Sequence, residues 1–276
     1  MKKEIYESHK FLKLGVKIWP SMFSELGACR DLIWRLFVRD VTAKYKQSFL
    51  GIFWAIITPL FAIATFSFLN RSGILNIGHV DVPYILYALI GLSIFQIFST
   101  GIVAGCGSLV SAADMITKIN FPRESLVIAS MAQALTEFII KFFMILILFV
   151  IYKFVPKWEI IFLPIVLVPM VFLTLGLSFV LSLINGIFRD TAQLVTILSS
   201  FLLFLTPVLY PIPSDHVFLF KVNPLVALVN APRDLMIYGL IREPLDYAVA
   251  SGVSVLFFLI SWRLFHLIET KIPERV

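Results

Sequence analysis

The chain has 276 residues, of which 59% are hydrophobic and only 14% are charged. Soluble domains carry about 25% charged residues, so this composition excludes an ordinary soluble protein and indicates an integral membrane protein. Because the net charge of +6 is distributed unevenly along the chain, we interpret it as a topology signal and expect no nucleic-acid partner.

Residues 1–29 predict a cytoplasmic N-terminal segment whose lysines interrupt its apolar residues, unlike the continuous apolar core of a signal peptide. Residues 31–46 predict an amphipathic helix lying at the water–lipid boundary. Its apolar face carries Ile33, Trp34, Phe37, Val38, Val41 and Tyr45. Arg35, Arg39 and Lys46 lie opposite, and Lys44 lies at the edge. The alternative is a soluble amphipathic helix that precedes the membrane.

Six apolar segments follow, each near the roughly 20 residues that a membrane-spanning helix needs. They cover residues 49–69, 83–105, 125–152, 160–186, 191–210 and 246–266. With six spans, sixteen of the 23 Lys and Arg residues fall on the side of both termini and six on the other side. The positive-inside rule therefore predicts cytoplasmic termini. Cys29 and Cys106 both fall on the cytoplasmic side, so we expect no disulfide.

The loop between the second and third segments predicts a short cytoplasmic helix. Ser111 followed by Asp114 fits a capping box, and the helix is expected over residues 112–119. Its apolar members Ala112, Met115, Ile116 and Ile119 share one face. This face could dock a cytoplasmic partner, or the loop could be a connecting turn that rests on the membrane.

Residues 211–244 predict a hairpin on the outer side. Two apolar patches, 217–220 and 225–229, are too short to cross a membrane and are broken by Asn223-Pro224 and Pro232-Arg233-Asp234. Such patches are typical of re-entrant or interfacial half-helices. We expect a pair of them to form a lid over the outer face.

The sequence contains none of the common catalytic or cofactor motifs. A phosphate-binding P-loop, an HExxH motif and a G-x-S-x-G elbow are all missing, and the four histidines have no metal-ligand spacing. The acidic residues of the outer loops do not form a pair suited to sugar chemistry. We therefore expect no catalytic residue, no cofactor and no metal, and we favour a transporter over an enzyme.

One ionisable pair lies inside an apolar segment. Glu137 and Lys141 are spaced i, i+4 near the middle of residues 125–152. Charges at such a depth usually face a bundle interior or a watery cavity. The pair is either part of a translocation path or a neutralised structural contact between helices.

An aromatic stripe runs along the second segment at steps of three and four residues. It comprises Tyr84, Tyr87, Gly91, Phe95 and Phe98, with Phe53, Phe61 and Phe68 on the first segment and Phe201 and Phe204 on the fifth. These residues either face lipid or line a channel in which the apolar faces of sugars slide.

Four motifs in order carry a family resemblance. They are Arg39-Asp40 with Lys44–Ser48, Leu50-Gly51, Trp54 and Pro59; Thr117–Glu124; Phe188-Arg189-Asp190; and Thr206–Pro211 with Asn223–Leu225. Together they resemble the permeases of ABC transporters that export polysaccharides. The chain is most similar to permeases for lipid-linked O-antigen, with capsule and teichoic-acid exporters as near relatives. The resemblance begins at Arg30 and leaves the first 29 residues without an account.

The resemblance implies an all-α type-two exporter domain over residues 30–276, present as a homodimer in the bacterial inner membrane with two copies of a separate ATPase subunit. Residues 112–119 would be the coupling helix, with Asp114, Met115, Ile116 and Ile119 contacting the ATPase. Arg189 and Asp190 would lie in a cytoplasmic loop, and residues 211–244 would form the periplasmic gate.

For the interfacial helix, the resemblance implies that Arg35, Arg39, Lys44 and Lys46 meet the pyrophosphate head group of a lipid-linked polysaccharide. The alternative for these cations is anchoring to anionic membrane lipids. The other readings of the whole chain are a drug or small-lipid exporter and a membrane-embedded polysaccharide polymerase.

Overall fold

The computed structural model describes residues 18–46, 51–72, 80–119, 121–211 and 222–269. Within these ranges the chain is helical and contains no strand, as expected from the sequence. The helices are α1 (Ile18–Ala28), α2 (Arg30–Lys46), α3 (Trp54–Arg71), α4 (Tyr84–Ser111), α5 (Ala113–Lys118), α6 (Glu124–Ile151), α7 (Leu163–Ile187), α8 (Thr191–Leu205), α9 (Pro224–Tyr238) and α10 (Pro244–Ile268). Short 3₁₀ turns at Gly51–Phe53 and Trp158–Phe162 precede α3 and α7.

Four of the described helical units are long and apolar enough to cross a membrane: α4, α6, α7 with its preceding turn, and α10. The apolar parts of α3 and α8 are shorter, covering Trp54–Leu69 and Thr191–Leu205. The predicted fifth segment, 191–210, therefore continues five residues too far. The helix ends at Leu205 because Thr206, which precedes Pro207, has the extended backbone that this position favours.

Helix α4 is the centre of the protomer and packs against α3, α6, α7, α8 and α9. Its close contact with α7 depends on glycines. A Cβ atom at Gly101 would lie 2.5 Å from Thr174 Cγ2, and one at Gly105 would lie 2.3 Å from Ser178 Oγ. Small residues of this kind let two membrane helices approach closely and gain dispersion contacts.

The outer hairpin differs from the prediction. Residues 212–221, including the first apolar patch, lie outside the described residues. The second patch belongs to the 15-residue helix α9, which continues through Pro232 and Arg233, where the sequence predicted a break.

The start of α9 is specified locally, because the Asn223 side chain accepts a hydrogen bond from Leu225 N at 3.0 Å and Pro224 occupies the first turn. Buried packing against α4, α7 and α10 outweighs the hydrogen bond that Pro232 cannot donate.

Helix α1 lies in the N-terminal segment, which the family resemblance did not cover. Met22 is completely buried, and Trp19 and Phe23 contact Trp262 of α10 edge to face at centroid distances of 5.9 and 4.9 Å. The segment that precedes α2 is thus attached to the last helix of the bundle through aromatic packing.

Candidate substrate-entry site and outer gate

An ion cluster connects the amphipathic helix α2 to the bundle. Lys141 Nζ lies 3.3 Å from Glu137 Oε2, so the predicted i, i+4 pair is formed. The structure adds a third member, because Lys44 Nζ donates to the other carboxylate oxygen, Glu137 Oε1. Glu137 and Lys141 are buried, whereas the Lys44 side chain remains 39% exposed. One carboxylate therefore serves two ammonium groups, which leaves one positive charge in excess.

A cavity of about 370 Å³ lies next to this cluster, between α2, α4 and α6. Its lining contains both charged and hydroxyl-bearing side chains: Leu36, Arg39, Asp40, Ala43, Lys44, Ala104, Ser108, Ser111, Leu126, Ala129, Ser130 and Gln133. Asp40 Oδ1 accepts hydrogen bonds from the neighbouring Arg39 guanidinium, with donor distances of 2.8 Å. The volume is within the range of small-molecule sites, and a few polar groups converge on it.

The four cations predicted to form one entry patch separate into two pairs. Arg39 and Lys44 line the cavity, whereas Arg35 and Lys46 are exposed and do not line it. The predicted apolar face of α2 is not the side buried against the bundle: Leu36, which was not assigned to that face, is buried, whereas Trp34 and Val38 remain exposed. The reason is that α2 packs on α6 along one side, which a pattern within a single helix cannot reveal.

The short helix α5 covers residues 113–118, close to the predicted 112–119. The predicted capping box is not formed: Ser111 donates to Ser108 O at 3.1 Å, and α4 continues to Ser111. Ile116 is only 7% exposed and belongs to the core of the protomer, so it is not available to a partner. The accessible positions are Asp114 and Ile119, which is 57% exposed, with Met115 half-buried.

The aromatic stripe of α4 lies inside the protomer. Tyr87, Phe95 and Phe98 are buried, and Tyr84 is half-buried. A Cβ atom at Gly91 would lie 2.5 Å from Val208 O, so this glycine is required by the turn that follows α8. Within the protomer, Arg233 of α9 lies over Tyr87, and Arg233 and Val208 of the 206–210 turn lie against Gly91. The predicted channel concerns the dimer and stays a prediction.

The remaining predicted channel residues are exposed. Phe53 just before α3, Phe61 and Phe68 on α3, and Phe201 and Phe204 on α8 are each more than half exposed. The two helices are neighbours at this surface, since the ring centroids of Phe66 and Phe204 are 6.5 Å apart. We call the exposed aromatic residues of α3 and α8 the aromatic flank.

A buried arginine that the sequence analysis did not single out attaches α9 to the bundle. Arg233 is 4% exposed and donates through Nη1 to the carbonyls of Pro207 and Val208, both at 3.2 Å. Its guanidinium lies 4.1 Å from the centroid of the Tyr87 ring. Burial lowers the pKa of Arg233 and raises the pKa of the adjacent Asp234 carboxyl to about 6. The sequence offered no local signal for the burial of Arg233.

Arg189 and Asp190 are both exposed in the turn between α7 and α8. The turn itself is organised by Asn185, which the sequence analysis missed. The Asn185 amide donates to Cys106 O at 3.0 Å and its carbonyl accepts from Ala192 N at 3.2 Å. This buried residue holds the start of α8 against α4.

The sequence profile of the family described as "ABC-2 type transporter" matches residues 31–237. The chain belongs to this family. An "O-antigen export system permease protein RfbA" of Myxococcus xanthus is 27% identical over 259 residues, which cover 91% of this chain and 96% of that protein. Two proteins of the same name from Klebsiella pneumoniae are 26% identical over 241 and 244 residues, with 84% and 86% of this chain covered and 88% and 90% of theirs. The predicted family resemblance is confirmed.

The match extends from α2 through α9, and therefore includes the cavity between α2, α4 and α6, the helix α5 and the buried Arg233. As an ABC-2 family member with several long apolar helices, the chain is a multi-pass membrane protein of a transport system.

Proposed function

We propose that this chain is the permease subunit of an ABC transporter that exports a lipid-linked polysaccharide of the O-antigen type across the bacterial inner membrane. The observation that carries the proposal is similarity over nearly the full length of three O-antigen export permeases. Transport requires an energy source, and the sequence has no P-loop of its own. A separate ATPase subunit, in two copies, supplies the energy.

The entry cavity receives the charged head group of the lipid-linked substrate. Arg39, Lys44 and Lys141 face the carboxylates of Asp40 and Glu137, and the one positive charge left in excess complements a phosphate or pyrophosphate group. Ser108, Ser111 and Ser130 now donate to backbone carbonyls three residues earlier, and rotation of these hydroxyls towards the cavity would let them donate to phosphate oxygens. The exposed Arg35 and Lys46 stay outside the cavity and interact with anionic membrane lipids.

The transport path lies between two copies of the chain. A homodimer that joins at the aromatic flank would cover apolar side chains that are exposed in one protomer. Aromatic faces offer sugar C–H surfaces a contact without strong hydrogen bonds. The buried stripe of α4 would reach such a path only when α9 moves away from it, so α9 and the 206–210 turn act as the outer gate.

The function is tested by deleting the gene in its own bacterium. We expect surface polysaccharide to disappear while lipid-linked polymer accumulates inside, and the chain together with its ATPase restores export. Loss of capsule or teichoic acid with intact O-antigen would instead identify one of the related exporters. Loss of polymer synthesis itself would contradict transport and favour the polymerase alternative.

For the topology, we expect both termini and α5 on the cytoplasmic side. A cysteine introduced at Val155, which is exposed in the α6–α7 loop, should react with a membrane-impermeant maleimide added to intact spheroplasts. The matched cysteine at the exposed Arg189 should react only after the membrane is opened. Both variants need Cys29 and Cys106 replaced first. The reverse pattern would invert the proposed orientation.

For the coupling helix, Ile119→Glu is expected to uncouple ATP hydrolysis from export while the permease accumulates at normal levels. The reason is that a charge placed on an exposed apolar contact removes binding energy without disturbing the core. Ile119→Val serves as the control and should export normally. Ile116→Glu should instead lower the amount of folded protein, since Ile116 is buried. Normal coupling in Ile119→Glu would count against docking at this helix.

A further inference from the structure

Three side chains with metal-binding atoms lie together where α6 begins and α10 ends: Glu124 from the start of α6, and His266 and Glu269 from the end of α10 and the residue after it. His266 Nδ1 is 2.8 Å from Glu124 Oε1 and 3.5 Å from Glu269 Oε1. One ligand atom from each of the three residues lies within 4.8 Å of the other two. The sequence analysis found no metal-ligand spacing, because the ligands come from two helices about 140 positions apart.

The cluster also contains an unsatisfied buried oxygen. Glu124 is completely buried, and its Oε2 accepts no hydrogen bond from any residue that the structure describes. Leaving a buried carboxylate oxygen without a partner is costly. At Glu269, Oε2 accepts from Arg123 N at 3.1 Å, so Oε1 remains directed at His266.

The geometry suits a small divalent ion. Imidazole and carboxylate ligands bind zinc at about 2.0–2.2 Å, so tetrahedral ligand atoms lie roughly 3.3 Å from one another. The two separations from His266 Nδ1, 2.8 and 3.5 Å, lie on either side of that value, and the ligand atoms of Glu124 and Glu269 lie within 4.8 Å of each other. Two carboxylates and a divalent cation are also neutral together, which reduces the cost of burying them.

We propose that Glu124, His266 and Glu269 form a binding site for a divalent transition-metal ion of the zinc class. The ion would join the first turn of α6 to the end of α10. Because Glu124 follows α5 closely in the chain, the metal would brace the loop that presents α5 to the cytoplasm. It would thereby hold the first turn of α6 in place during transport without contacting the polysaccharide.

The test uses the full chain, purified in detergent through a tag that contains no histidine and stripped with a chelator. Zn²⁺ alone is titrated in competition with a chromogenic chelator. We expect one ion per chain, and we expect Glu124→Gln and His266→Asn each to weaken binding by at least about tenfold. His79→Gln, which removes a histidine elsewhere in the chain, is the matched control and should bind as the unmodified protein does.

A second measurement does not depend on the variants folding. Co²⁺ added to the stripped, unmodified protein should give the visible absorption of a low-coordinate site, and Zn²⁺ should abolish it and raise the thermal unfolding midpoint. Equal Zn²⁺ binding by Glu124→Gln and the unmodified protein would overturn the proposal, as would the absence of a Co²⁺ spectrum. In that case the cluster is an ion pair between a protonated His266 and its two carboxyl groups.

Discussion

Glu137→Gln is expected to destabilise the protein by about 3–5 kcal/mol, which is the usual cost of removing one partner from a buried ion pair. The substitution leaves Lys141 buried at 1% exposure with its ammonium facing a neutral amide. It also releases Lys44, so the contact between α2 and α6 weakens. The measurement is the unfolding midpoint of the purified protein in detergent, compared with the unmodified chain.

The double substitution Glu137→Gln with Lys141→Met should cost less than Glu137→Gln alone. Removing both buried charges leaves Lys44, whose side chain is 39% exposed and can turn towards water. Lys44→Met is the control for the exposed member and should cost the least of the three changes. Equal losses in the single and double variants would contradict the ion-cluster interpretation. A stable double variant without export would show that the cluster takes part in transport.

Arg233→Met is expected to open the outer gate. It removes both hydrogen bonds to the carbonyls of Pro207 and Val208 and the contact with the Tyr87 ring, while keeping most of the side-chain volume. Hydrogen bonds to charged groups contribute about 1.5–3 kcal/mol each, so α9 should separate from α4 far more often. Arg233→Lys keeps the charge but cannot reproduce the planar, two-carbonyl contact, and we expect an intermediate effect.

The gate is measured with a cysteine at Phe95, which is 2% exposed and lies on α4. With Arg233 in place, this cysteine should resist a membrane-impermeant maleimide added from outside. With Arg233→Met it should react, because separation of α9 from Tyr87 and Gly91 opens the α4 stripe from its outer end. Unchanged labelling and an unchanged unfolding midpoint would contradict a gating role for Arg233.

The entry cavity shows what the charge pattern of one helix can predict and what it cannot. The charges of residues 31–46 predicted a basic interfacial helix, and α2 covers nearly these residues. The same pattern could not tell that Lys44 would pair with Glu137, 93 residues later, because that contact depends on the side of α2 that packs on α6. The division of the four cations between cavity and surface follows from that packing.

The aromatic stripe of α4 is a second example of a pattern that does not fix which face of a helix is covered. Its spacing on α4 was correct as a pattern, yet the pattern is the same for a core face and a channel wall. In the protomer this face is buried, since Val208 O and Arg233 lie directly over Gly91. A residue with a charged side chain in the outer loop is expected to be exposed, so nothing local indicated that Arg233 would cover this face.

The sequence by itself determined the membrane class, the helical architecture, the family and the i, i+4 pair of Glu137 and Lys141, because each depends on composition, local periodicity or the order of motifs. The tertiary structure decided which faces are buried, where α8 and α9 begin and end, and that Glu124, His266 and Glu269 meet. These outcomes depend on contacts between residues far apart in the chain. The free energy of such contacts is set by the whole packed bundle and not by any one segment.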